Sequence, residues 1–361
     1  MEWCDQSAQE AVQNGEDINV KINKRRKWIY ASAAVLVVAC FLIYFNRGAL
    51  AMMGFDWFLS GSVEKQLEKS YKPAERQEPA AVDPANNGQN NTAANKPFSV
   101  LLFGVDARGA ERGRTDMIMY TVVRPKDGDM LMISIPRDAY VELVGRDTYD
   151  KINHAYAFGG AGMAMDTVEK LLDAPIMHYA AINFEGFISV VDELGGIALP
   201  ITKDIVNKDP NHEHFVIKGG QSSYNGQDAL NYMRYREDAG GDVSRTGRHQ
   251  QFINALINKA TGMKQWSKIP DLLGIMGDNF STDLRPNEII ELSKSMLQAK
   301  TRSTYTYSLT GEGRRLKEGG PWYYFIKEED LEAARAMIAS WLDESKSENE
   351  LILPENYTAL E

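Results

Sequence analysis

The chain has 361 residues, 43% of them hydrophobic, which is enough to bury a sizeable core and argues against a disordered chain. Its formal net charge of −10 lies entirely after residue 45, and an acidic bulk argues against non-specific binding to nucleic-acid phosphates, which needs a surplus of Lys and Arg. Both cysteines, Cys4 and Cys40, precede residue 46, which excludes a disulfide or a cysteine-based zinc site in the rest of the chain.

An uncharged segment at residues 28–45 predicts one transmembrane helix. It has aromatic residues at both ends, and at about 1.5 Å per residue it would be roughly 27 Å long, close to the hydrocarbon thickness of a membrane. The basic run KINKRRK before it predicts a cytoplasmic tail at 1–27 and a main domain outside the cytoplasm. A cleaved signal peptide ending near Ala49-Leu50-Ala51 is the alternative, although the apolar run is long for one and Arg47 interrupts the approach to it.

Residues 46–96 are predicted to form a juxtamembrane segment and a flexible linker. Residues 52–71 give a weak signal for a short amphipathic helix on the membrane surface, and 72–96 are rich in Pro, Ala, Asn and Gly. Strands and helices then alternate without a second linker. Residues 97–345 therefore predict a single α/β domain with a mixed central sheet flanked by helices, followed by a C-terminal tail at 346–361.

Apolar runs, alternation and helix caps predict the elements of this domain. The first three strands are predicted at 98–105, 117–123 and 130–135, and a hairpin turn at 125–129 joins the last two. Further strands are predicted at 177–183, 197–201 and 303–309. Helices are predicted at 162–173, 184–194, 226–234 after an Asn225 cap, 244–261, 286–299 and 328–343.

The common catalytic motifs are missing from the sequence. There is no G-x-S-x-G, no H-E-x-x-H and no Walker loop, so neither a serine hydrolase of that type nor a zincin nor an ATP-binding P-loop is indicated. His212-Glu213-His214 has ligand-like spacing but falls in a polar hairpin, which favours a solvated loop.

Carboxylates and arginines gather where predicted strands end. A buried strand ends in Asp106 and Asp116 opens the next one, so two carboxylates at neighbouring strand ends could share a hard cation such as Mg²⁺ through oxygen ligands. Arg108, Arg112 and Arg114 lie between them. A charged surface loop with Asp–Arg pairs is the alternative for this cluster.

Two further clusters supply arginines. Arg137 follows a strand in SIPRD and is predicted at the rim of the sheet, beside the first cluster. The third cluster joins one helix end to the start of the next helix: Arg234, Arg236, Asp242, Arg245 and Arg248. Helix N-termini favour anions, and guanidinium groups donate paired hydrogen bonds to phosphate oxygens. Together with Mg²⁺ these arginines favour a pyrophosphate ligand, whereas a salt-bridge network between helix ends is the alternative.

Five motifs follow one another along residues 97–261: GVDAR…GRTDMIMY, SIPRDAYVEL, DKINHAYAFGG, INFEGFISVVDELGG and NGQDALNYMRYR…GD–SR–GRHQQ. In this order they resemble the LytR-CpsA-Psr family of bacterial envelope proteins, and LTGEGRRLKEGGPWYYFI continues the resemblance more weakly to about residue 345. The resemblance implies a transferase that binds an undecaprenyl-linked glycopolymer in a long apolar pocket, with the pyrophosphate at its mouth. It would transfer the glycopolymer with one phosphate to a hydroxyl of peptidoglycan. The apolar faces of helices 162–173 and 184–194 could line such a pocket with the sheet, although such faces more often belong to a simple core.

The resemblance also implies roles for matching positions. Asp106 and Asp116 would hold Mg²⁺, and Asp242 would orient arginines or a metal-bound water. The pyrophosphate would be clamped by Arg114, Arg137, Arg234, Arg236 and Arg245. Further substrate contacts are expected from Arg108, Arg248, His249 and Gln250. His249 stands where family members usually carry Gln, so the sequence leaves open whether His249 or Gln250 faces the phosphates.

Three other functions are kept as alternatives: a transcriptional attenuator of envelope genes, a polyprenyl-pyrophosphate binding protein without turnover, and a pyrophosphatase in which water replaces the acceptor. The predicted topology and the acidic domain argue against DNA contact. The same Asp and Arg residues serve the other two alternatives, so only an assay with an acceptor glycan separates them from a transferase.

Overall fold

A mixed six-stranded β-sheet forms the centre of the computed structural model. The structure describes residues 67–76, 96–106, 113–208, 214–235, 241–260, 272–299 except 273, 276 and 278, and 303–354. Strands β1 to β6 are Phe98–Asp106, Arg114–Arg124, Asp129–Ile135, Tyr140–Leu143, Thr148–Lys151 and His178–Asn183. Strands β7 to β12 are Ile205–Asn207, Phe215–Ile217, Phe280–Thr282, Thr304–Ser308, Gly311–Arg315 and Trp322–Ile326. Helices α1 to α6 are Asn153–Leu172, Phe184–Glu193, Gly226–Arg234, Gly241–Ala260, Pro286–Gln298 and Glu328–Leu342.

The strand order of the central sheet is β10-β3-β2-β1-β6-β9. Strands β1, β2 and β3 pair antiparallel with one another in sequence, while β6 runs parallel to β1 and β10 parallel to β3. β9 closes one edge antiparallel to β6. This combination confirms the predicted mixed sheet.

Alternating side chains of the sheet contribute to two separate hydrophobic cores, one on each face. In the first core, Leu101 and Phe103 of β1 pack with residues of α1 and with Trp341 of α6. In the second core, Met117 of β2 packs with residues of α2, α3 and α4, among them Phe252. Helices therefore cover both faces of the sheet, as predicted.

Most predicted elements are confirmed to within a few residues, and two differ. The predicted strand at 197–201 is wrong, since only Ile197 makes an isolated bridge there, to Tyr224. Helix α1 begins at Asn153 rather than at residue 162, and it contains a break at Gly160, whose φ of 67° lies in the left-handed region open to glycine. The glycines of AFGGAG interrupt the helix without ending it. For this reason the sequence pattern did not predict the first half of the helix.

Residues 67–76 pack on the domain, although they fall in the region predicted as a surface helix and linker. Tyr71 forms a parallel bridge to strand β9. The Arg76 guanidinium pairs with Asp166, at 2.7 Å, and with Glu169, both on α1. The end of this segment is therefore attached to the domain and does not belong to a flexible tether.

The predicted membrane segment at 28–45 and the tail at 1–27 lie outside the described residues. No helix in the described part of the chain is long and apolar enough to cross a membrane.

Candidate functional site

A β-bulge near the start of β2 turns Asp116 towards the second core. The register changes from Gly104–Met117 to Val105–Thr115, so Asp116 has no partner on β1. Successive side chains of a regular strand point to opposite faces, yet Asp116 and Met117 line the same cavity. The bulge therefore adds a carboxylate to a largely apolar face of the sheet.

This cavity opens between the sheet and helices α2, α3 and α4, and its volume is about 720 Å³ when the part open to solvent is included. Its apolar wall consists of second-core residues and their neighbours: Met117, Ile182, Phe184, Phe187, Val190, Val191, Leu230, Met233, Phe252, Ile253 and Leu256. Its polar side chains are those of Asp116, Arg137, Arg234 and His249. The expectation that helix 184–194 lines a pocket is confirmed. Helix 162–173 does not line this cavity, because α1 packs on the opposite face of the sheet in the first core, which agrees with the alternative of a simple core role.

Two asparagine caps and one glycine position the helices of the cavity wall. Asn183 and Asn225 cap α2 and α3, each accepting a backbone hydrogen bond at 2.8 Å. Gly226 begins α3 so close to α2 that a Cβ there would clash with the Ile188 carbonyl oxygen. Its N–H donates to the Asp192 carboxylate at 2.7 Å. These contacts hold α3 against α2 and place its C-terminal end at the cavity.

Arg137 lies between two carboxylates at the end of β3. Its Nη1 donates to Asp116 Oδ1, and its Nε lies 3.4 Å from Asp138 Oδ2. Asp138 Oδ1 accepts a second hydrogen bond from Lys151 Nζ at 2.8 Å. The structure thus brings Arg137 and Asp116 together, as the sequence predicts. The sequence analysis missed the roles of Asp138 and Lys151, although both lie in motifs that it singled out.

Arg234 and His249 also face the cavity. The Arg234 guanidinium carbon lies 5.2 Å from the centroid of the Phe184 ring, and no carboxylate of the described residues pairs with it. His249 is 6% exposed, and its Nε2 lies 3.3 Å from the Met233 carbonyl oxygen. The side chain of Gln250 lies outside the described part of the structure, so the choice between His249 and Gln250 stays a prediction.

Asp106 is the last residue of β1, as predicted, and Arg114 is its partner on β2. Gly104, two residues earlier, lines the cavity, so alternation places Asp106 on the same face of the sheet. Arg114 is exposed at the start of β2. Asp106 and Asp116 therefore lie at the same end of two neighbouring strands.

These two carboxylates fit a Mg²⁺ ion that arrives with a phosphate ligand. Among the described residues there is no group of three or more His, Cys, Asp or Glu side chains placed to hold a metal. Mg²⁺ commonly keeps several waters and is bound through one or two carboxylates and substrate phosphates. The Mg²⁺ site at Asp106 and Asp116 stays a prediction with a chemically suitable pair of donors.

Arg248 occupies a different environment from the cavity arginines. It is 7% exposed, and its guanidinium carbon lies 5.8 Å and 5.6 Å from the ring centroids of Tyr232 and Tyr235. It also donates to the Tyr235 carbonyl oxygen. Arg248 thus packs α4 against the end of α3, and its predicted contact with substrate is untested. The remaining predicted positions lie outside the described part of the structure: Arg108, Arg236 and the side chains of Asp242 and Arg245.

The model of the LytR_cpsA_psr family matches residues 58–339. The chain belongs to the LytR-CpsA-Psr family. The match begins before residue 97, and so includes the segment at 67–76 that the structure shows packed on the domain.

Relatives within the LytR-CpsA-Psr family cover most of the chain. The polyisoprenyl-teichoic acid–peptidoglycan teichoic acid transferase TagU of Bacillus licheniformis is 32% identical over 324 residues, which are 90% of this chain and 98% of that protein. A crystal structure of B. subtilis TagV superposes with a TM-score of 0.59 at 33% identity, over 70% of this chain and 99% of that one. A structure of TagT bound to LI-WTA superposes with a TM-score of 0.56 at 28% identity, over 70% and 94%.

Proposed function

We propose that this protein is a membrane-anchored phosphotransferase. It moves a glycopolymer from an undecaprenyl-pyrophosphate-linked precursor onto peptidoglycan. The observation that carries the proposal is the cavity, whose wall is apolar and whose polar side chains include two arginines and a carboxylate. The named activity of the TagU relative supports the reaction class.

The cavity suits a lipid with an anionic head group. Its wall is largely apolar, and its few charged side chains include Asp116, Arg137 and Arg234. Each apolar square ångström that a prenyl chain buries contributes about 25 cal/mol. Arg137 and Arg234 supply planar donors for phosphate oxygens, a geometry that Lys does not reproduce.

The chemistry exchanges the phosphoanhydride bond of the donor for a phosphodiester bond to the acceptor. The acceptor hydroxyl oxygen forms a bond to the phosphorus that bears the glycopolymer and gives up its proton. The bond from that phosphorus to the bridging oxygen breaks, and undecaprenyl phosphate leaves with the bridging oxygen. Arg137 and Arg234 would neutralise the charge that develops on the leaving phosphate, because this step depends chiefly on positioning and electrostatic stabilisation. Asp106 and Asp116 would hold Mg²⁺, which would supply further positive charge to the phosphates when bound.

The proposed topology is a single span at 28–45, with the N-terminus in the cytoplasm and the main domain outside the cell membrane. Its support is the basic run before an uncharged segment. A reporter enzyme fused after Glu361 should be active only outside the cytoplasm. Cytoplasmic activity of that fusion would contradict both the orientation and the envelope function.

The decisive assay uses the full chain in detergent with a lipid-linked oligosaccharide, Mg²⁺ and peptidoglycan. A transferase yields a phosphodiester-linked glycan on peptidoglycan together with free undecaprenyl phosphate. A pyrophosphatase releases undecaprenyl phosphate without the glycan product, and a binding protein releases nothing. Since the net charge of −10 argues against contact with DNA, transcriptional attenuation would require an indirect route.

A further inference from the structure

Two hairpins that the sequence analysis missed carry a group of aromatic side chains close to Arg137. In the β4–β5 hairpin, Val141 and Leu143 point into the first core. Alternation therefore turns Tyr140 outwards, and cross-strand pairing turns Tyr149 and Lys151 to the same outer face. In the β11–β12 hairpin, Tyr323 and Phe325 pack against Tyr140.

These rings form one continuous surface, which we call the aromatic platform: Tyr140, Tyr149, Tyr323 and Phe325. The ring centroid of Tyr140 lies 5.5 Å from that of Tyr149, 4.9 Å from that of Tyr323 and 5.3 Å from that of Phe325. Tyr149 is 58% exposed, and the other three rings are half-buried. Solvent therefore reaches all four residues of the platform.

The aromatic platform adjoins the candidate site through Lys151. The Lys151 ammonium lies 6.0 Å from the centroid of the Tyr323 ring and donates to Asp138, whose other oxygen faces Arg137. The backbone N–H of Tyr324 donates to the Asp138 carbonyl oxygen at 2.9 Å. At the other end of the platform, Arg314 lies 4.1 Å from the centroid of the Phe325 ring. Two side chains, Lys151 and Asp138, thus connect the platform to the arginine of the site.

We infer that the aromatic platform binds the acceptor, a glycan strand of peptidoglycan, an inference that rests on the proposed function. The C–H faces of pyranose rings stack on aromatic rings, and Lys151 and Arg314 add positive charge beside the carboxyl groups that such a strand carries. The hairpin β4–β5 packs on the first core, whereas the cavity opens on the second core. Arg137 itself lines the cavity and adjoins the platform through Asp138 and Lys151. An acceptor strand on the platform would therefore lie next to the arginine that the proposed function assigns to the donor's phosphates.

The test compares Tyr149→Ala with Tyr149→Phe in the full chain. The matched control is Trp322→Ala, because Trp322 is 46% exposed on the same hairpin as Tyr323 but alternation turns it to the opposite face. Transfer is measured with peptide-free glycan strands as the varied acceptor, then with the lipid-linked donor varied. Tyr149→Ala should raise the acceptor KM by about threefold to tenfold, the range expected for one lost aromatic contact, and leave the donor KM unchanged. Tyr149→Phe and Trp322→Ala should match the parent in both constants.

Two outcomes would overturn the inference. An acceptor KM unchanged in Tyr149→Ala would show that the rings only tie the two hairpins together. A rise in the donor KM instead would assign the platform to the donor's sugars. Calorimetric binding of the same glycan strands to parent and variant separates this inference from the proposed function. Binding that Tyr149→Ala weakens supports the platform even where the parent transfers nothing, and equal binding by both proteins contradicts it.

Discussion

Replacing Arg137 with Lys is expected to separate activity from stability. The guanidinium donates to Asp116 through Nη1 and faces Asp138 through Nε at 3.4 Å. A lysine ammonium keeps the charge but cannot hold this position and also grip a phosphate with two parallel donors. Losing one donor aimed at developing charge costs about 10²–10³ in rate in comparable oxyanion sites. We therefore expect Arg137→Lys to lose at least about tenfold in transfer, equivalent to about 1.4 kcal/mol.

The folded state should lose less stability than the transfer step loses. Asp138 keeps its hydrogen bond from Lys151 at 2.8 Å, and Asp116 can still pair with the new ammonium. The free energy of unfolding should therefore fall by about 1 kcal/mol, the usual value of one hydrogen bond. For a domain of this size, that corresponds to a decrease in Tm of about 2–4 °C.

Arg124→Lys is the matched control, with the opposite expectation. The buried Arg124 guanidinium donates to the Asp127 carboxylate at 2.6 Å and to three backbone carbonyl groups near the end of α6. Those carbonyl groups, at 2.9, 3.1 and 2.7 Å, belong to Trp341, Asp343 and Lys346. At about 3.3 Å per residue, Arg124 lies about 26 Å along β2 from Asp116. Lys cannot replace this set of donors, so Arg124→Lys should lose about 2–4 kcal/mol of stability and keep the parent transfer rate.

Thermal unfolding and transfer rate, measured on the same preparations, decide between the two arginine roles. If Arg137→Lys lost activity only in proportion to its folded fraction, Arg137 would be a structural residue. If it matched the parent in both measurements, Arg137 would not belong to the site at all.

Three further substitutions test the metal, the cavity and a buried carboxyl group. Asp106→Asn should reduce transfer and raise the Mg²⁺ concentration for half-maximal rate, and an unchanged Mg²⁺ titration would contradict the metal role. Val190→Trp should fill part of the cavity and raise the KM of a long polyprenyl donor more than that of a short-chain donor; an equal effect on both donors would count against a lipid site. Burial raises the pKa of Asp129 from its ordinary 3.8 to about 6. Because the folded state binds this proton more tightly, the contribution of Asp129 to the free energy of unfolding should fall as pH rises from about 4 to about 6. The free energy of unfolding, measured with urea across this range, should therefore fall less with rising pH in Asp129→Asn than in the parent. Identical pH profiles for the two proteins would refute the pKa shift.

Local signals in the sequence predict much of the fold. The apolar runs of β1 to β3, the turn at 125–129 and the Asn225 cap of α3 depend on neighbouring residues only, and all are confirmed. The position of Arg137 beside Asp116 also follows, since the end of β3 meets the start of its antiparallel partner β2.

Long-range contacts decide the features that the sequence does not predict. Lys151 reaches Asp138 only because the β4–β5 hairpin folds back, and strands of four residues are too short for a sequence pattern to identify them. The amphipathic patterns of α1 and α2 show which residues are buried but not which face of the sheet each helix covers. That choice follows from chain topology, and it placed α1 on the face opposite the cavity.

The bulge beside Gly104 makes the number of residues in β2 a requirement of the site. Deleting Thr115 would let β2 pair regularly with β1, with Asp116 opposite Val105. The sheet from Met117 onwards would keep its partners, but alternation would turn the Asp116 carboxylate towards the first core and away from Arg137. Such a deletion changes no charged residue and still separates an acid from its arginine. A homologue with the same motif letters but a different count between the glycine-containing loop and Met117 would therefore share the composition of this site without its geometry.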